Sequence, residues 1–64
     1  MVKINGEEKN VAGITVAQYL ENNGYDLKRV AVEKNGEIVP KAKYAEAVFA
    51  DDDTVEVVSF VGGG

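Results

Sequence analysis

Sixty-four residues with a net charge of −4, no cysteine and no histidine restrict the function before any motif is read. A chain this short buries only about 60% of the surface its unfolded form exposes, so the working part is expected on a surface or at an end. The missing thiol and imidazole exclude disulfides, thiolate chemistry, sulfur-held zinc and the commonest neutral-pH base, and the acidic balance disfavours a nucleic-acid partner.

At 45% hydrophobic and 28% charged residues, with one proline, the composition is that of a compact fold. No apolar run approaches the ~20 residues of a membrane span, and the first residues lack signal-peptide character. A cytoplasmic protein without a membrane partner is expected.

Val2-Lys3-Ile4 alternates apolar and polar and then meets Asn5-Gly6, a hairpin signal. A strand should return around Lys9 to Ala12. A two-residue loop would set Ile4 opposite Glu7, whereas a four-residue loop would pair Val2 with Val11. The second is expected, because register follows the buried face. Ile14 to Gly24 carries helix grammar: Thr15 as N-cap, Gln18 completing a capping box, and Ile14 with Tyr19 at staple spacing. Val16, Tyr19 and Leu20 form its buried stripe, and Asn23-Gly24 ends it.

Val30 to Lys34, Asn35-Gly36 and Glu37 to Val39 repeat the hairpin pattern. Here a two-residue loop pairs Val32 with Val39 and Lys34 with Glu37, so turn and pattern agree. Pro40 stops the strand. Lys41 to Ala50 carries an ambiguous pattern that reads as a helical turn, with Tyr44 and Val48 at i, i+4, followed by extended chain. Asp51 to Asp53 forms a solvated turn, since three adjacent acids lack the alternation of a calcium loop and no metal site is expected. Thr54 to Val61 is the last strand, rich in β-branched residues. Gly62, Gly63 and Gly64 follow.

This order predicts an α+β fold, a mixed sheet of four or five strands packed on one helix. A ubiquitin-like β-grasp, with the last strand parallel to the first at the sheet centre, is its economical closure. Residues 1–61 would form that domain and residues 62–64 a flexible tail. If Val55 and Val57 face the helix, then Val58 and Phe60 project from the other face. With Val61 they form an apolar stripe leading into the tail, a candidate partner-binding surface. Alternatively, sheet twist, the 41–50 segment or a second copy covers it. Tyr19, Tyr25 and Tyr44 read as core or rim residues, and no residue reads as catalytic. Lys28, Arg29, Lys41 and Lys43 read as solvated, or as contacts for an acidic patch on a partner.

Four blocks together carry a resemblance: Met1 to Glu7, Ile14 to Leu20, Val30 to Pro40 and Asp53 to Gly64. In that order and at this length the chain resembles the ThiS family of sulfur carriers. Lys41 and Tyr44 stand where many relatives carry arginine and tryptophan. The resemblance implies that Gly64 is the working residue. A ubiquitin-activating-like enzyme would adenylate its carboxylate with ATP, a persulfide donor protein would supply sulfur, and the resulting thiocarboxylate would serve thiazole synthase in thiamine biosynthesis. The chain itself would bind no cofactor and act as a co-substrate. Glycines at 62, 63 and 64 suit that role, since a tail without Cβ atoms can thread a narrow channel, and three extended residues reach about 10 Å. Two other readings stay open. One is the small subunit of molybdopterin synthase, disfavoured because Ser59-Phe60-Val61 runs straight into glycine. The other is a ubiquitin-like interaction module without covalent chemistry.

Overall fold

The computed structural model describes residues 1–60. Five strands and one α-helix follow in the order β1 (Val2–Ile4), β2 (Glu7–Lys9), α1 (Val16–Asn22), β3 (Val30–Lys34), β4 (Glu37–Val39) and β5 (Thr54–Ser59), with a short 3₁₀ turn at Lys41–Lys43 before β5. The sheet order is β2-β1-β5-β3-β4. β5 lies at the centre, parallel to β1 and antiparallel to β3, as the β-grasp expectation requires. The domain limit at residue 61 and the tail at 62–64 lie outside the described residues.

The helix begins as its sequence specifies. Gln18 N–H donates to Thr15 Oγ1 at 3.1 Å, and Thr15 N–H donates to Gln18 Oε1 at 2.9 Å, closing the capping box. The next orphan donors are met from outside the helix: Val16 N–H reaches Ala47 O at 2.8 Å and Ala17 N–H reaches Tyr44 O at 2.9 Å. The irregular segment after the 3₁₀ turn therefore completes the helix cap. Its chain runs antiparallel past Thr15 in an isolated bridge with Val48, and Phe49 N–H donates to Ile14 O.

That bridge corrects the expected pairing of Tyr44 with Val48. In extended chain successive side chains alternate, so Phe49 is buried while Val48 is exposed. Tyr44 is buried as expected, and its hydroxyl donates to Val30 O at 3.3 Å.

The first hairpin also differs from expectation. Asn5 and Gly6 have φ of 52° and 82°, the consecutive left-handed pair of a tight two-residue turn, so Ile4 faces Glu7 and Val2 faces Lys9. The turn chemistry overrides the burial argument for a Val2–Val11 pair. Val11 lies beyond the end of β2 and packs on the core from the loop. β2 is an edge strand, and its Glu7, Glu8 and Lys9 protect that edge. The second hairpin has the expected register, Val32 opposite Val39 and Lys34 opposite Glu37.

The core lies between the sheet and the helix, where Val2, Ile4, Val32, Val55 and Val57 meet Val16, Tyr19 and Leu20. Phe49 closes one end, its ring edge-on to Tyr19 at 5.8 Å. Every apolar position assigned to the helix stripe is buried.

Candidate functional site

The site is built around β5, the strand that leads towards the tail. Two asparagines hold it. Asn5 N–H donates to Val55 O, and the Asn5 side chain then takes the next step of the ladder: Val57 N–H donates to Oδ1 at 2.8 Å, and Nδ2 donates to Val57 O at 3.2 Å. A single turn residue thus extends the β1–β5 pairing beyond the end of β1. Asn35 does the equivalent at the start of β5, accepting from Thr54 N–H at 2.9 Å and donating to Asp53 Oδ1 at 2.9 Å.

Strand alternation then sorts β5. Val55 and Val57 are buried against the helix, and Thr54, Glu56 and Val58 face the other way. Val58 and Phe60 are 52% and 54% exposed, so both stand on the outer face as strand alternation predicts. Phe60 N–H donates to Arg29 O at 2.7 Å, so the ladder with the β3 side continues past the strand and carries Phe60 to the face of Val58. Val61, Gly62, Gly63 and Gly64 lie outside the described residues.

The same face holds residues that the sequence reading left out. Val58 stands opposite Ala31, and Glu56 opposite Glu33, which in turn stands opposite Ile38. Ile38 is 67% exposed. The signal for it was present, because pairing Val32 with Val39 inside places Glu33 and Ile38 outside. Within the described residues, neither the helix nor the 41–50 segment crosses this face, since both pack on the opposite side.

Asp51 to Asp53 do not converge. Asp51 pairs with the Met1 ammonium, Asp52 adopts a left-handed φ of 71°, and Asp53 turns inward. The expectation of a solvated turn therefore holds for Asp51 and Asp52 but not for Asp53. Its carboxylate accepts from Ala50 N–H at 2.8 Å and from Asn35, with Lys34 Nζ at 3.8 Å. Burial pushes that carboxyl up, but these hydrogen bonds and the lysine charge together hold it below the ordinary value. Burial raises the Tyr19 and Tyr44 phenols. Each of these shifts leads away from neutrality, so none prepares a general acid or base for pH 7. Among the described residues no cavity opens and no three acidic groups gather as metal ligands. The geometry offers a surface and a directed strand.

The family model of the ThiS family matches residues 2–64. The chain belongs to the ThiS family. It is 39% identical, over the full length of both proteins, to the sulfur carrier protein ThiS of Bacillus subtilis. It is 52% identical over 62 residues to a thiazole synthase of Paramagnetospirillum magneticum, covering 95% of this chain and 19% of that protein. The chain thus spans about a fifth of that relative's length. The crystal structure of the thiamine biosynthesis protein ThiS from Geobacter metallireducens superposes with a TM-score of 0.75 at 27% identity, covering 98% of this chain and 97% of that one. No helix among the described residues is long and apolar enough to cross a membrane.

Proposed function

We propose that this ThiS-family chain carries sulfur for the thiazole ring of thiamine on the carboxylate of Gly64. A carboxylate is a poor electrophile, so a partner enzyme of the ubiquitin-activating kind first joins it to AMP, using ATP and releasing pyrophosphate. A persulfide sulfur on a donor protein attacks the carbonyl and expels AMP. A second thiol cleaves the resulting S–S bond as a disulfide forms, and a terminal thiocarboxylate remains. Thiazole synthase consumes that sulfur. The chain is a co-substrate in this scheme, binds no cofactor of its own and works in the cytoplasm.

The observation that carries the reading is the family match running through residues 2–64, glycines included, on a fold whose central strand presents Val58 and Phe60 just ahead of those glycines. The match within a longer thiazole synthase supports that enzyme as recipient, because joining carrier to acceptor raises the effective concentration of one for the other.

The test is intact mass after incubation with ATP, the adenylating enzyme and a persulfide source. Replacing one oxygen by sulfur adds about 16 Da at the terminal acyl group. An unchanged mass with an enzyme that activates another carrier would favour the ubiquitin-like interaction module.

A further inference from the structure

Asn5, Asn23 and Asn35 each precede a glycine. In that dipeptide the asparagine side chain is most open to attack by the next backbone nitrogen, because glycine brings no Cβ to shield it. All three turns are exposed, and a Cβ added at Gly6, Gly24 or Gly36 would meet nothing within 4 Å. Access therefore does not separate the three sites. The hydrogen bonds of their side-chain amides do. Asn5 is held at both ends by Val57, whose N–H donates to Oδ1 at 2.8 Å and whose carbonyl accepts from Nδ2 at 3.2 Å. Asn35 is held at both ends too, by Thr54 N–H on Oδ1 and by Asp53 Oδ1 on Nδ2, each at 2.9 Å. Asn23 is tied only within the end of α1: its Nδ2 donates to Tyr19 O at 2.8 Å, and Gly24 N–H donates to Glu21 O at 3.2 Å. A helix end opens by fraying, whereas a central strand opens rarely.

The geometry points to Asn5 and Asn35 as deamidation sites gated by β5, so that a chain which has once released this strand is covalently marked and weakened where the strand must return. The step needs no enzyme. The glycine backbone nitrogen attacks the asparagine Cγ, a C–N bond forms to close a cyclic imide, and the Cγ–Nδ2 bond breaks. Ammonia leaves, carrying the proton given up by the glycine nitrogen, and water opens the imide to aspartate or isoaspartate. The reacting atoms must come within about 3–3.5 Å in line for attack, so each side chain has to swing off β5 and give up both of its hydrogen bonds first. While β5 is docked, the two amides are preserved. Once formed, the acid cannot replace the amide. At Asn5 the donor facing Val57 O becomes a carboxylate oxygen. At Asn35 it faces the buried carboxylate of Asp53, with Lys34 Nζ at 3.8 Å as the neighbouring cation, and one ammonium is left to serve two acids. Isoaspartate also adds a main-chain atom to a two-residue turn and disturbs its register.

Ageing the natural chain in warm, mildly alkaline buffer and mapping its peptides by mass tests this, with each site's rate divided by its own rate in unfolding urea. On that scale Asn5 and Asn35 should convert at least about ten-fold more slowly than Asn23. Val55→Ala, which loosens β5 without touching any of the three turns, should speed Asn5 and Asn35 together and narrow the gap. Should that variant not fold, sub-denaturing urea loosens β5 in the natural chain and should do the same. Equal protection at all three sites, or protection at Asn5 and Asn35 that ignores the loosening of β5, overturns the gating. The marking is tested by melting. Asn35→Asp should melt below the natural chain and below Asn5→Asp, because its lost donor faced a carboxylate and not a carbonyl. Adding Asp53→Asn to Asn35→Asp should recover part of the loss, since one donor again meets one carboxylate. That recovery is read equally well as regained folding if Asn35→Asp alone does not fold. An Asn35→Asp chain as stable as the natural one, or a double variant no better than Asn35→Asp, overturns the inference.

Discussion

Asn5 and Asn35 occupy the first positions of two similar turns, with φ of 52° and 54°, and both spend their side chains on β5. Glycine would form either turn as readily, so Asn5→Gly isolates the ladder role from the turn role. Losing two partly buried hydrogen bonds should cost about 1–2 kcal/mol in urea unfolding, and exchange of the Val57 amide should accelerate more than that of Val55. Asp53 is the acid-sensitive residue of the network. Its folded-state pKa lies below the ordinary 3.8, so its contribution is present above that value and is lost as pH falls through the lower, folded value. Thermal unfolding followed from about pH 5 to about pH 2 should therefore show a steeper loss for the natural chain than for Asp53→Asn. The sequence disclosed the turn function of both asparagines, because Asn-Gly between alternating strands is a local signal. It could not disclose the clamps. Those depend on chain arriving from 52 residues away at Asn5 and from 18 and 19 residues away at Asn35, separations no local pattern encodes.

The elements differ in how openly the sequence announced them. Helix α1 was legible because Thr15, Gln18, Val16, Tyr19 and Leu20 all report within one short window. The second hairpin was legible because its turn and its buried valines demand the same register. In the first hairpin they conflict, and the Asn5-Gly6 backbone prevailed over the attraction of pairing Val2 with Val11. The 41–50 segment was opaque for a different reason. It is shaped by what the helix start needs, since Tyr44 O and Ala47 O accept from Ala17 and Val16, and such a demand cannot be seen in the segment itself. Phe49 is the side chain this segment drives into the core, 1% exposed and in contact with Tyr19. Phe49→Ala should cost about 3–5 kcal/mol, a large share of a small domain's stability, and Val48→Ala beside it should cost well under 1 kcal/mol. Comparable melting losses for the two would contradict the bridge geometry at Thr15.

As a whole, the molecule packs one face of its sheet and leaves apolar residues exposed on the other. One helix and the returning 44–49 chain cover one face of the sheet, and the other keeps Ala31, Ile38, Val58 and Phe60 beside the central strand. Surface substitutions divide accordingly. Val58→Ser should leave thermal stability nearly unchanged and, if the proposed carrier function holds and this face meets the adenylating enzyme, should weaken productive encounter with it by about ten-fold. A parallel loss of melting temperature would instead mark Val58 as part of the packed structure. On the proposed carrier function an enzyme-like pocket is not needed, because the reacting carbonyl would be delivered to catalytic groups supplied by others. Removing Gly63 and Gly64 and assaying reconstituted thiazole formation puts that claim to the most direct test. The truncated chain should fold and melt as the natural one does yet transfer no sulfur. Sulfur transfer at the natural rate by the shortened chain would show that the chemistry resides elsewhere.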